Sequence, residues 1–131
     1  MYALDTNLLV RLVVSDDLAQ QRAVVERLEK AESAGDSLLV HPLVLVELSW
    51  VLAAAYRYER HQVADAMIAL VETPALLISD KAEVVEAAES YRKGPADFSD
   101  YLLLALARAG GAGTLLTFDR RLLKHAHCEK P

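Results

Sequence analysis

Asp5 ends the apolar run "MYAL", and Asp119 follows the apolar run "TLLTF". Asp97 and Asp100 lie three residues apart in "DFSDYLLLALA". Glu47 stands inside "HPLVLVELSWVLAAAY", residues 41–56, with apolar neighbours on both sides and no Lys or Arg before Arg57. Each acid has an ordinary reading. Asp5 and Asp119 can cap the helices that follow them. Asp97 can cap the next helix, with Asp100 at the third helical position as in a capping box. Glu47 is harder to place, because a carboxylate buried in an apolar helix is costly unless it has a partner. A distant arginine is one such partner.

Taken together, these acids suggest more. Carboxylates about 4 Å apart repel by roughly 4 kcal/mol per pair at an effective dielectric of about 20. A cluster therefore persists by protonation, by basic partners or by binding a cation. An all-oxygen set without His or Cys suits a hard divalent ion, Mg²⁺ or Mn²⁺. Such an ion suits phosphoryl chemistry, because it activates water and stabilises charge on a transferring phosphate. Thr6, Asn7 and Thr117 adjoin these acids and can orient them, bind a phosphate oxygen or merely cap. Arg120, Arg121 and Lys124 follow Asp119, and Arg11 and Arg57 are further cations that could hold a polyanion or simply be solvated.

The elements that must carry these residues alternate. "MYALD", "SLLV", "ALLIS" and "TLLTF" read as short buried strands. "TNLLVRLV" reads as a short helix. The next helix runs through "DDLAQQRAVVERLEKAESA", capped by Ser15, with Leu18, Val25 and Leu28 on its apolar side and Gly35 at its end. Pro42 opens a helix that is apolar on nearly every side, at a position that tolerates proline. Helices follow over "ERHQVADAMIALVE", over "DKAEVVEAAESYRK" with Ser79 or Asp80 as cap, over "DFSDYLLLALARAGG", and briefly over "DRRLLKHA". Strand–helix alternation with apolar strands implies an α/β fold with a parallel sheet buried by helices. In such sheets, sites form at the carboxyl ends of the strands, where Asp5 and Asp119 stand.

Composition narrows the class. A chain of 131 residues implies one domain, and a hydrophobic fraction of 53% allows a sizeable aliphatic core. The net charge of −5 argues against a protein that coats nucleic acid over its whole surface, though not against a local basic rim around an acidic site. The single cysteine, Cys128, excludes an internal disulfide and suits a reducing cytoplasm. The "HAHC" tail is a poor metal cage at a chain end. The most hydropathic window, 38–56, contains His41, Pro42 and Glu47, which argues against a membrane span.

The stretches "LDTNLL" (4–9), "VLVELSWVL" (44–52), "DFSDYLLLALA" (97–107) and "LLTFDRRL" (115–122) resemble the PIN domain family, in order and over nearly the whole chain. The resemblance is closest to stand-alone VapC-type toxins of toxin–antitoxin pairs. It implies one PIN domain over 1–131: a three-layer α/β fold with a short twisted parallel sheet of four to five strands covered by helices. The closing fifth strand is expected to be short or missing at "HAHCEKP". The resemblance further implies an Mg²⁺- or Mn²⁺-dependent endoribonuclease. Asp5, Glu47, Asp100 and Asp119 match its acidic quartet, with Asp5 and Asp100 in the positions most often assigned as metal ligands. Thr6 and Thr117 match accessory hydroxyls, and Asp97 matches an acid of less certain role. An RNA substrate, a cognate antitoxin and a homodimer are implied as partners. Two other classes remain: an inactive PIN scaffold that only binds, and a receiver-like signalling domain. The second lacks the acid pair after strand one and the lysine after the last strand that its chemistry needs.

Overall fold

A computed structural model describes all 131 residues. The elements run β1 (Tyr2–Ala3), α1 (Thr6–Val13), α2 (Leu18–Ser33), β2 (Leu38–Leu39), α3 (Pro42–Ala54), α4 (Arg60–Val71), β3 (Leu76–Leu77), α5 (Lys81–Lys93), α6 (Phe98–Ala109), β4 (Leu115–Leu116), a single 3₁₀ turn (Leu122–Lys124) and β5 (Cys128–Glu129). Every ladder is parallel. β2 pairs with β1 on one side and β3 on the other, while β4 pairs with β5. The expected α/β class with short parallel sheets under helices is therefore present, divided into a three-stranded and a two-stranded ladder.

The closing strand is short, as one of the two expected outcomes had it: Leu115 and Leu116 pair with Cys128 and Glu129, and the Thr117 amide extends the ladder to the Glu129 carbonyl at 3.0 Å. Two local expectations change. The cap of α2 is Asp17, not Ser15; the Asp17 carboxylate accepts from the Gln20 amide at 3.0 Å, one helical turn further on. The buried side of α2 is Val24, Leu28 and Ala31, while Leu18 and Val25 are exposed. Spacings of four and three residues keep the first trio on one stripe. Asp80 is the N-cap residue of α5, without a side-chain cap bond, and Ser79 instead donates to the Asp80 carboxylate.

Other local signals act as read. Pro42 occupies the first turn of α3, where its missing N–H costs nothing. Gly35, with φ +66°, follows the end of α2 in the left-handed conformation that glycine adopts freely. The core is one aliphatic cluster built on Leu9, Leu38, Leu45, Leu48, Leu52 and Met67, with Phe98 and Leu102 from α6. Helix α5 packs extensively on both α4 and α6. No helix is long and apolar enough to cross a membrane.

The loop between α5 and α6 sets the position of Asp97 and Asp100, and it is firmly held. The Arg60 guanidinium donates to the carbonyls of Tyr91 (3.0 Å), Pro95 (2.9 Å) and Ala96 (2.7 Å), and lies 4.5 Å from the Tyr91 ring centre. Tyr91 meets Phe98 edge to face at 6.3 Å. The Ala96 amide donates to the Tyr101 hydroxyl at 3.2 Å. Gly94 has φ +72°, and a Cβ there would stand 3.3 Å from the Arg60 guanidinium carbon. Glycine thus provides both the backbone conformation and the space for the clamp.

Candidate active site

The acids fall into two separate arrangements. The first joins the end of β1 to α3. Asp5 is the N-cap of α1 and accepts from the Thr6 amide at 2.7 Å. The buried Thr6 hydroxyl donates to Glu47 Oε2 at 2.6 Å, a short, charge-assisted bond. Glu47 does not pair with a remote arginine. Nor is it buried, as its apolar neighbours had implied: it is exposed. Its helix explains why. Leu45, Leu48, Ser49 and Leu52 form the buried stripe of α3, whereas Leu43, Glu47 and Trp50 share an open face, with Leu43 59% and Trp50 53% exposed.

The second arrangement joins α6 to the end of β4. Asp97 and Asp100 form the reciprocal capping box expected for α6, and Asp100 Oδ2 accepts from the Asp97 amide at 3.0 Å. Asp119 caps the turn after β4, with Oδ1 accepting from the Arg121 amide at 2.8 Å. Thr117 Oγ1 accepts from the Asp119 amide at 3.0 Å and fixes the backbone before that turn. The Arg121 guanidinium lies among all three carboxylates, 3.2 Å from Asp119, 3.4 Å from Asp97 and 3.7 Å from Asp100. Its hydrogen bonds to Asp119 hold that carboxyl below its ordinary range, and Asp119 raises the guanidinium in return.

Asp5, Asp97, Asp100 and Asp119 therefore serve helix starts or a turn, whereas Glu47 caps nothing. A cap uses one oxygen of a carboxylate and leaves the other to face solvent or a ligand. The donor set, carboxylates with threonine hydroxyls beside them, fits a hard divalent cation in type. Its grouping is looser than the sequence suggested. No three His, Cys, Asp or Glu side chains are arranged to hold one ion, and Arg121 provides the positive charge at three of the acids. To gather around an ion, the carboxylates must turn on their χ angles and Arg121 must withdraw.

The remaining candidates divide by location. Lys124 and Arg121 line a groove beside the second arrangement, and Arg120 is exposed next to them. Arg11 lies elsewhere, bonded to Asp16 (2.9 Å) and Gln20 (2.6 Å), and with Asn7 it lines the groove between α1 and α2. Arg57 is exposed after α3, with φ +56°. Sequence reasoning missed Arg60 as the clamp on the α5–α6 loop and Lys93 as a groove residue. Neither stands in a motif, and only the α4–α5–α6 packing brings them near the site.

The PIN domain family model matches residues 2–127. A VapC ribonuclease of Aquifex aeolicus (strain VF5) is 24% identical over 124 residues, covering 95% of this chain and 91% of the relative. A match of that extent, together with short parallel strands and acids placed where β1 and β4 end, makes this chain a member of the PIN domain family.

Proposed function

We propose that this protein is a metal-dependent endoribonuclease and the toxin of a VapBC-type toxin–antitoxin pair, acting in the cytoplasm. The carrying observation is the match to the PIN domain over residues 2–127, in a chain whose acids Asp5 and Asp119 follow β1 and β4 and whose Asp97 and Asp100 lie close to Asp119. The likeness to a VapC ribonuclease supports the choice of RNA and of a toxin.

Mg²⁺ or Mn²⁺ would be held by Asp5, Glu47, Asp100 and Asp119, and would supply activation of a water and positive charge against the reacting phosphate. The chain's own residues prepare that site. Thr6 fixes one oxygen of Glu47 and leaves the other free. The capping box orients Asp100, and Arg60 holds the loop that carries it. Arg121 balances the acids in the resting protein and can transfer its charge to a phosphate of the RNA. The products are expected to carry a 5′-phosphate and a 3′-hydroxyl.

A homodimer and an antitoxin complete the proposal. Leu43 and Trp50 on α3 and Leu103 on α6 are exposed, and α3 and α6 pack together, which suits an apolar interface. Light scattering of the purified chain tests the dimer.

The decisive experiment is an RNA cleavage assay with Mg²⁺, with EDTA, and with Asp5→Asn. Cleavage in Mg²⁺ alone is expected. Activity that persists in EDTA or in the variant overturns the mechanism. The charge of Arg121 among three acids favours one competing reading, a PIN scaffold that binds without cutting. Absence of cleavage by the wild-type chain in either metal would select it.

A further inference from the structure

A groove of about 350 Å³ opens beside the second group of acids, between the end of α5 and the 3₁₀ turn after Asp119. Arg121 belongs to both, touching the carboxylates while lining the groove. The groove's charges separate cleanly. Glu86 is taken by Arg108 at 2.6 Å, and Glu89 by Arg92 at 3.2 Å. Lys93, the last residue of α5, and Lys124, in the turn, have no carboxylate partner. Two like charges thus face one groove from different elements. Both lysines are exposed and unpaired, so together they make the groove locally attractive to an anion. Charged side chains dominate the lining, with Gly94, Pro95 and Tyr101 as its less polar part, a mixture that suits the phosphates and sugars of a nucleic-acid strand.

We propose that this groove seats the RNA backbone next to the phosphate that is cut, with Lys93 and Lys124 as its phosphate contacts. The inference rests on the nuclease reading for its ligand and extends it to a strand path. RNA leaving the acids passes Arg121 and runs between the two lysines. Lys93 stands in none of the family-like stretches of the sequence, so the path depends on the loop geometry that Arg60 and Gly94 maintain.

The test is fluorescence anisotropy of a labelled oligouridylate with the full chain in EDTA, where nothing is cut. The proteins compared are the wild type, the double variant Lys93→Ala with Lys124→Ala, and Arg22→Ala on the exposed side of α2 as control. Melting curves establish that all three fold, and the exposed positions make this the expected result. The double variant is expected to bind about tenfold more weakly, a loss of ~1.4 kcal/mol. Its dependence of log affinity on log salt should flatten by about 1.4, at ~0.7 per phosphate contact on a single strand. The control should match the wild type. If the wild type cleaves RNA in Mg²⁺ and the double variant binds like it, with the same salt slope, the groove is overturned and the nuclease reading stands. If the wild type does not cleave but the double variant loses affinity and slope, the groove is an RNA seat and the nuclease reading fails. If the wild type binds no RNA, the groove is overturned, and the nuclease reading falls with it when the wild type also leaves RNA uncut in Mg²⁺.

Discussion

The Thr6 hydroxyl donates to Glu47 across 41 residues of sequence, at 2.6 Å. The bond ties the first helix, whose cap is Asp5, to the exposed face of α3. It fixes one Glu47 oxygen without consuming the other. Thr6→Val keeps the shape of this buried side chain and removes only the donor. Glu47 is exposed and regains water, so stability should change by less than about 1 kcal/mol. Cleavage should fall roughly 10–100-fold, as when a residue orienting a metal ligand is lost. Thr6→Ser should retain most of the activity. Full activity in Thr6→Val would show that Glu47 needs no such orientation.

Arg121 and a divalent cation would compete for the same carboxylates. Arg121→Ala should therefore bind Mn²⁺ about tenfold more tightly by calorimetry, equivalent to ~1.4 kcal/mol. Its Asp119 carboxyl should rise towards the ordinary range, because the guanidinium that holds it down is gone. The fold should be nearly unaffected, since exposed ion pairs contribute about 0–1 kcal/mol. Unchanged or weaker Mn²⁺ binding would mean that the acids gather around an ion without displacing Arg121.

The proposed site residues stand out in the sequence because several of them sit where helices and turns begin. Asp5 and Asp97 occupy N-caps, and Asp119 caps a turn, so helix-start chemistry marks them as readily as metal chemistry does. The capping box between Asp97 and Asp100 follows from a three-residue spacing alone. Glu47 was noticed for a reason the structure does not support. Its apolar neighbours imply burial, but exposed Leu43 and Trp50 share its face, so local hydropathy measured the helix and not the side of it. The cap of α2 moved from Ser15 to Asp17 because several polar residues compete before that helix. For β5 the sequence could not choose between a short strand and none, because a two-residue strand has no periodicity to read. Arg60 and Lys93 were invisible because their roles exist only once α4, α5 and α6 pack.

Arg60 donates to three carbonyls on the segment that delivers Asp97 and Asp100. Arg60→Ala leaves these acceptors without their donor and removes the stacking on Tyr91. The expected loss is about 2 kcal/mol, read from urea unfolding. Arg60→Lys should recover only part of it, because one ammonium cannot reproduce a planar fork of donors. Both variants should also cleave more slowly, as the capping box loosens. A stability equal to wild type in Arg60→Ala would mean that the loop is held by its own turn and by Tyr101.

His125 is expected to make stability fall as pH drops below neutrality. Burial pushes its imidazole down, and the neighbouring His127 and Arg108 add to this, while Glu86 opposes it. A second observation agrees: the His127 amide donates to His125 Nδ1 at 3.2 Å, a bond that requires this nitrogen to be unprotonated. The folded value lies below the unfolded one, so the folded state binds fewer protons between the two. The contribution is therefore fully present above the unfolded value of about 6.5 and is lost as pH falls through the folded value. The melting temperature should decline as the solution is acidified from about pH 7 towards about pH 5, before the carboxylates near pH 4 begin to titrate. His125→Gln should flatten that part of the curve and keep the later acid limb. The same slope in wild type and His125→Gln would assign it to another group, with His61, exposed beside Glu59, as the next histidine to substitute.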